Sequence, residues 1–266
     1  MGDRQMQVRY GSGRGVLMVV AIGVIMAAGC GHFLVPTAFR PVGTGDQIRH
    51  SEGTSMEVSD DGTVAWIQGR LEISVRAITD QELNRQFPAF SEDGHGPSDE
   101  LPTNVFTYGD WEDPRSNQPP TRFSVFKISV KNYEYPKVKF DSLTPTIEAS
   151  NGRVYFPWGQ FDFEEFFRRF SLAYNGLGYM RFRERLSLLK LGLYPDNDFC
   201  FSGQEFEGYI VFDKMHDDVE DIVFRIPAVG IRYDYRDQPL ETVSLAYKFE
   251  RDLIKVSRRD QIANAE

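Results

Sequence analysis

The stretch DIVFRIPAVGIRYDYRDQPLETVSLAYKFE, residues 221–250, decides the fold through its periodicity. Val243, Leu245, Tyr247 and Phe249 alternate with Ser244, Ala246 and Lys248, and Ile231, Tyr233 and Tyr235 alternate with Arg232 and Asp234. Side chains two apart share a face, so each run reads as a strand with one buried and one wet side. Strands are expected at Ile222 to Pro227, Ile231 to Tyr235 and Val243 to Phe249, with turns at Met215 to Asp218 and Asp237 to Leu240.

The same period recurs upstream. Val64 to Gln68 is apolar, and Leu71, Ile73, Val75 and Ala77 alternate with Glu72, Ser74 and Arg76. Phe126, Ile128 and Val130 alternate with Lys127, Ser129 and Lys131, and a short extended piece follows at Lys137 to Phe140. Thr146 to Ala149 and Arg153 to Trp158 flank Ser150-Asn151-Gly152, whose Asn-Gly pair tolerates the positive φ of a hairpin turn. Phe199 to Phe201 and Glu207 to Phe212 complete the series of short strands. Only a second layer can bury so many apolar faces, so the expected fold is mainly β, an antiparallel immunoglobulin-like β-sandwich.

Between the strands the period changes. Phe163, Phe166, Phe167, Phe170 and Tyr174 form one helical stripe, and after Asn175-Gly176-Leu177-Gly178 a second stripe runs through Phe182, Leu186, Leu189 and Leu193. Arg181, Arg183, Arg185 and Lys190 fall off its apolar face. A helical hairpin inserted at 161–194 is expected to pack on itself and on a sheet. Residues 84–120 hold six prolines among acidic residues and glycines and read as a long loop. Its aromatics Phe106, Tyr108 and Trp111 either contact a partner or pin the loop to the sandwich.

At the other end of the chain, Arg4, Arg9 and Arg14 precede the apolar run VLMVVAIGVIMAAGC, residues 16–30. A basic head, an apolar middle and small residues before a cysteine make a secretory signal. Ala27-Ala28-Gly29-Cys30 resembles the lipobox of bacterial lipoproteins, with Ala27 where that family usually has Leu. The resemblance implies a signal peptide at 1–29, lipid on Cys30, and a mature chain held on a membrane of the cell envelope by acyl groups. The alternative is that Val16 to Val35, near the length that spans an apolar core, stays as an uncleaved anchor. Both place the body outside the cytoplasm. Residues 30–56 are expected to be a flexible tether, 57–256 the sandwich domain, and 257–266 a polar tail.

The segment Gly203-Gln204-Glu205-Phe206-Glu207-Gly208-Tyr209-Ile210-Val211-Phe212, with the strand Ile222 to Ile226, looks like the closing hairpin of telokin-like immunoglobulin sandwiches in secreted bacterial lipoproteins. That resemblance covers the last quarter of the chain and implies a binding or assembly role.

Lysine and arginine number 30 against 39 aspartates and glutamates, a formal charge of -9. Without Arg4, Arg9, Arg14 and Asp3 the balance is 27 against 38, or -11. This sign argues against nucleic acid as a partner. With two cysteines and Cys30 lipidated, Cys200 is left as a small buried hydrophobe. No G-x-S-x-G turn is present. Ser124 to Lys127 and Ser187 to Lys190 match S-x-x-K without its companion motifs. His32, His50, His95 and His216 share no ligand spacing, and Asp196-Asn197-Asp198 opens like a calcium loop but lacks the glycine an EF-hand needs, having Phe201 there. No metal, cofactor or catalytic residue is therefore expected. The leading expectation is a membrane-anchored, non-catalytic binding or assembly module with a protein partner in the envelope. The alternatives are an envelope hydrolase whose carboxylates lie far apart in sequence, and a glycan-binding module using Tyr108 and Trp111.

Overall fold

In the computed structural model the stretch 221–250 is one long hairpin, Asp221–Tyr233 pairing antiparallel with Pro239–Glu250. Residues 32–50, 55–92, 104–112, 119–171, 175–196 and 198–257 are described. In chain order the elements are β1 (His32–Pro36), β2 (Arg40–Pro41), α1 (Thr44–His50), β3 (Ser55–Val58), β4 (Val64–Gln68), β5 (Leu71–Ile78), α2 (Asp80–Gln86), a 3-10 turn (Pro88–Phe90), β6 (Phe123–Asn132), β7 (Lys137–Val138), β8 (Thr146–Ala149) and β9 (Val154–Tyr155). They continue with α3 (Gln160–Ser171), α4 (Asn175–Gly192), β10 (Cys200–Phe201), β11 (Gln204–Asp213), β12 (Asp221–Tyr233), β13 (Pro239–Glu250) and β14 (Leu253–Ser257).

Two five-stranded antiparallel sheets, ordered β11-β6-β5-β4-β3 and β2-β13-β12-β8-β9, make the sandwich; β10 pairs with β7, and β1 with β14. The main core lies between the sheets. Phe126 on the first meets Phe224 and Phe249 on the second at 5.2 and 5.6 Å between ring centres. Tyr247 crosses the gap too, its hydroxyl donating to the Ile73 carbonyl at 2.8 Å. A buried hydroxyl without that acceptor would cost ~1–3 kcal/mol.

The helical hairpin packs as its periodicity requires. Phe163, Phe167, Leu188 and Leu189 are buried with Phe123 and Val125 of β6 and Tyr209 and Val211 of β11, forming a second core on the outer face of the first sheet. Tyr174 and the side chain of Phe170 lie outside the described residues. Arg185, expected off the apolar face, is buried, its guanidinium 5.0 Å from the Phe167 ring. Gly208 of β11 has a steric reason: a Cβ there would fall on the backbone of Tyr194, whose N–H donates to the Tyr209 carbonyl at 2.9 Å.

Three expectations are corrected. Residues 222–227 and 231–235 are not two strands but one, β12, carried past Pro227 by a register shift between Ile226 and Val229. A proline without an N–H is tolerated at such a bulge. Tyr235 stands in the turn beyond the strand. The tether expected at 30–56 is instead built into the sandwich at residues 40–47. Arg40 and Pro41 pair with Glu250 and Phe249. The fully buried Gln47 amide donates to the Lys248 carbonyl at 2.6 Å and accepts from the Lys248 N–H at 2.9 Å, standing in for a neighbouring strand at the β13 edge. The loop expected at 84–120 begins inside α2, whose register is set by Thr79 and Glu82.

Candidate functional site

The predicted residues part company. Phe106 is a core residue and not a partner contact: it is fully buried, 5.8 Å from the Phe87 ring and 5.4 Å from Tyr209. Gly192 leaves room for it, since a Cβ there would come within 2.9 Å of the ring. Asn104 fixes the backbone beside it, donating to the Leu83 carbonyl at 3.1 Å and accepting the Phe106 N–H at 3.0 Å. Tyr108 and Trp111 are half-buried. The Tyr108 ring is met by the Arg122 guanidinium at 5.1 Å. Cys30 lies outside the described residues.

Arg122 is the residue that motif reading passed over. Its guanidinium also stands 5.4 Å from Phe166 and 5.1 Å from Phe167, and it donates to the Thr107 carbonyl at 3.2 Å. It thus ties the loop to α3. Nothing in Pro120-Thr121-Arg122 announces this, because the contacts come from elements far away in sequence.

Among the carboxylates Asp80 is distinctive. Burial pushes its carboxyl up to about 6, against a hydrogen bond with the Thr121 side chain that lowers it. A raised carboxylate is the kind of group that acid–base chemistry uses. Its hydrogen-bonding partner, however, is a hydroxyl and not a second carboxylate. The two S-x-x-K serines are spoken for: the Ser187 hydroxyl donates to the Arg183 carbonyl at 3.0 Å, and Ser124 Oγ accepts the Met215 N–H at 3.2 Å. Burial pushes the Cys200 thiol up, away from the reactive thiolate. Among the described residues no three His, Cys, Asp or Glu side chains stand close enough to hold a metal ion.

A cleft of about 190 Å³ opens where the helical hairpin meets the sandwich. Trp158, Leu189, Leu193, Tyr209 and Ile210 supply apolar walls, and Lys190 and Asp196 are exposed at its margin. Ser142 donates to Asp196 Oδ1 at 3.2 Å, and Trp158 Nε1 to Asp213 Oδ1 at 3.0 Å. The space suits one apolar group.

No family model, curated protein or solved structure matches the chain.

Proposed function

We propose that this protein is a lipid-anchored component of a bacterial cell envelope, held by acyl groups on Cys30, whose sandwich serves as a non-catalytic binding or assembly module. The observation that carries this reading is the sequence of residues 16–30, in which three arginines precede an apolar run that ends in small residues and a cysteine. The arrangement of the sandwich is consistent with it. Ten residues after Cys30 the chain is already paired with β13, so an anchor at Cys30 would hold the domain close to a membrane surface.

The test is Cys30→Ala in a bacterial host, with membrane fractionation and mass spectrometry of the mature N-terminus. The wild-type chain should begin at a diacylglycerol-modified Cys30. The variant should accumulate as an unprocessed precursor or leave the membrane fraction. A wild-type chain without lipid, retained through an uncleaved 16–35 segment, overturns the lipoprotein reading in favour of a protein anchor.

A further inference from the structure

The chain joins the sandwich at one end, where Arg40 and Pro41 meet Glu250 and Phe249. The β12–β13 turn lies at the other end, twelve residues of β13 away, about 40 Å at ~3.4 Å per residue. That far end carries a cluster of rings and lysines. Phe199 meets Tyr233 edge-on at 5.1 Å and Phe201 at 6.1 Å. Lys137 Nζ stands 4.6 Å from the Phe199 ring centre and 5.2 Å from that of Tyr233, and Lys139 Nζ is 4.9 Å from Phe199. Asp237 pairs with Lys137, whereas Lys139 forms no ion pair among the described residues. Beside them Phe201 is 51% exposed and Tyr235 86% exposed.

The cluster is held rigidly. Asn132 donates to the Cys200 carbonyl at 2.8 Å and the Tyr135 carbonyl at 2.9 Å, and accepts the Tyr135 N–H at 2.9 Å, which fixes β10 against the β6–β7 connection. The Tyr233 hydroxyl lies 3.1 Å from the Gly230 carbonyl and 3.3 Å from that of Lys139, an approach that a Cβ on Gly230 would block. The β10 backbone and the Tyr233 ring are therefore in place before any partner arrives, which lowers the ordering cost of binding.

Two ammonium groups share one aromatic ring while one carboxylate answers them. Like charges so close repel, and a ring face offsets each only in part. An incoming carboxylate would relieve the excess at Lys139. Stacking of a sugar suits the cluster poorly, because lysines stand over Phe199 and the Arg236 guanidinium is 5.0 Å from the Tyr235 ring.

We propose that this end, built by β7, β10 and the β12–β13 turn, docks an acidic segment of a protein partner, with a carboxylate at Lys139 and apolar or aromatic side chains against Phe201 and Tyr235. That it faces away from the membrane rests on the anchor reading above; the binding does not.

The experiment uses the full chain in detergent and two fluorescein-labelled probes, an alternating Glu-Tyr peptide and an alternating Lys-Tyr peptide, read by anisotropy. The Glu-Tyr peptide should bind and the Lys-Tyr peptide should not. Added salt, Lys139→Glu and Phe201→Ala should each weaken binding, Lys139→Glu at least tenfold, while Lys139→Arg preserves it. Circular dichroism checks each fold, and the exposed Phe201 gives a second variant should Lys139→Glu misfold. No binding of the Glu-Tyr peptide, equal binding of both peptides, or undiminished binding by folded variants overturns the proposal. So does capture of a labelled polyuronate oligosaccharide in place of the peptide. The lipid state of Cys30, read separately by mass, leaves these outcomes untouched.

Discussion

Asp80 stands at the first position of α2, half-buried, with its carboxyl raised by desolvation from the usual 3.8 to about 6. Below pH ~3 the group is protonated in folded and unfolded chains alike, and its burial costs little. As pH rises toward 6 the unfolded chain releases a proton that the folded chain still holds, so stability falls across that window and levels off above it. The shift corresponds to roughly 2–3 kcal/mol at most. Asp80→Asn should therefore leave stability below pH ~3 nearly unchanged, raise it at pH 7, and flatten the slope between. Urea midpoints at pH 3, 4, 5, 6 and 7 check this, and parallel curves for the two proteins would remove Asp80 as the cause. Such a residue is invisible to periodicity: Thr79-Asp80 reads as an ordinary helix start, and the desolvation comes from chain that folds over it.

At the scale of elements, length decided what could be read. β6 and α3 each run through two or more periods, so their apolar stripes stand out, whereas the apolar residues of α4 are spread around its axis. The seven-residue α1 and α2 do not complete enough turns to show one, and the two-residue β2 has no alternation at all. Yet α2 has a local signal in Thr79-x-x-Glu82. Thr79 Oγ1 accepts the Glu82 N–H at 3.3 Å, and the Glu82 carboxylate accepts the Thr79 N–H at 3.0 Å, the reciprocal capping box. Arg76 adds a 2.6 Å ion pair. Burial raises the Glu82 carboxyl, but the bonds from Thr79 and Arg76 outweigh it and hold the group below its usual value. Removing the cap by Thr79→Ala should cost ~1 kcal/mol, or about 2–4 °C in Tm for a domain of this size. Calorimetry checks it. A loss below experimental error would mean that α2 is held by its tertiary contacts, the packing of Leu83 and the hydrogen bonds of Asn84 and Asn104 among them.

Across the whole molecule, one pair of strands serves two cores. Phe126, Ile128 and Val130 of β6 and Ile210 and Phe212 of β11 face the space between the sheets, whereas Phe123, Val125, Tyr209 and Val211 face the helical hairpin. Burial on both faces explains the continuous apolar run Tyr209 to Phe212, a pattern that alternation alone would not give. What the sequence could not convey is that Phe106 and Leu83 join the second core, because a loop and a short helix bring them there. The arrangement makes stability divisible. Phe126→Ala and Phe167→Ala each remove a buried ring and should each cost ~3–5 kcal/mol, but they should differ in reach. Phe126 touches rings on both sheets, so its loss should lower hydrogen-exchange protection throughout the sandwich. Phe167 contacts Phe163 and Phe166 and the two arginines, so its loss should release amides of α3 and α4 while those of β4 and β5, whose Val64, Trp66, Ile73 and Val75 are buried in the first core, keep their protection. If Phe167→Ala lowers protection in β4 and β5 as far as Phe126→Ala does, the helical hairpin and the sandwich unfold as one unit, and the second core is part of the first in all but position.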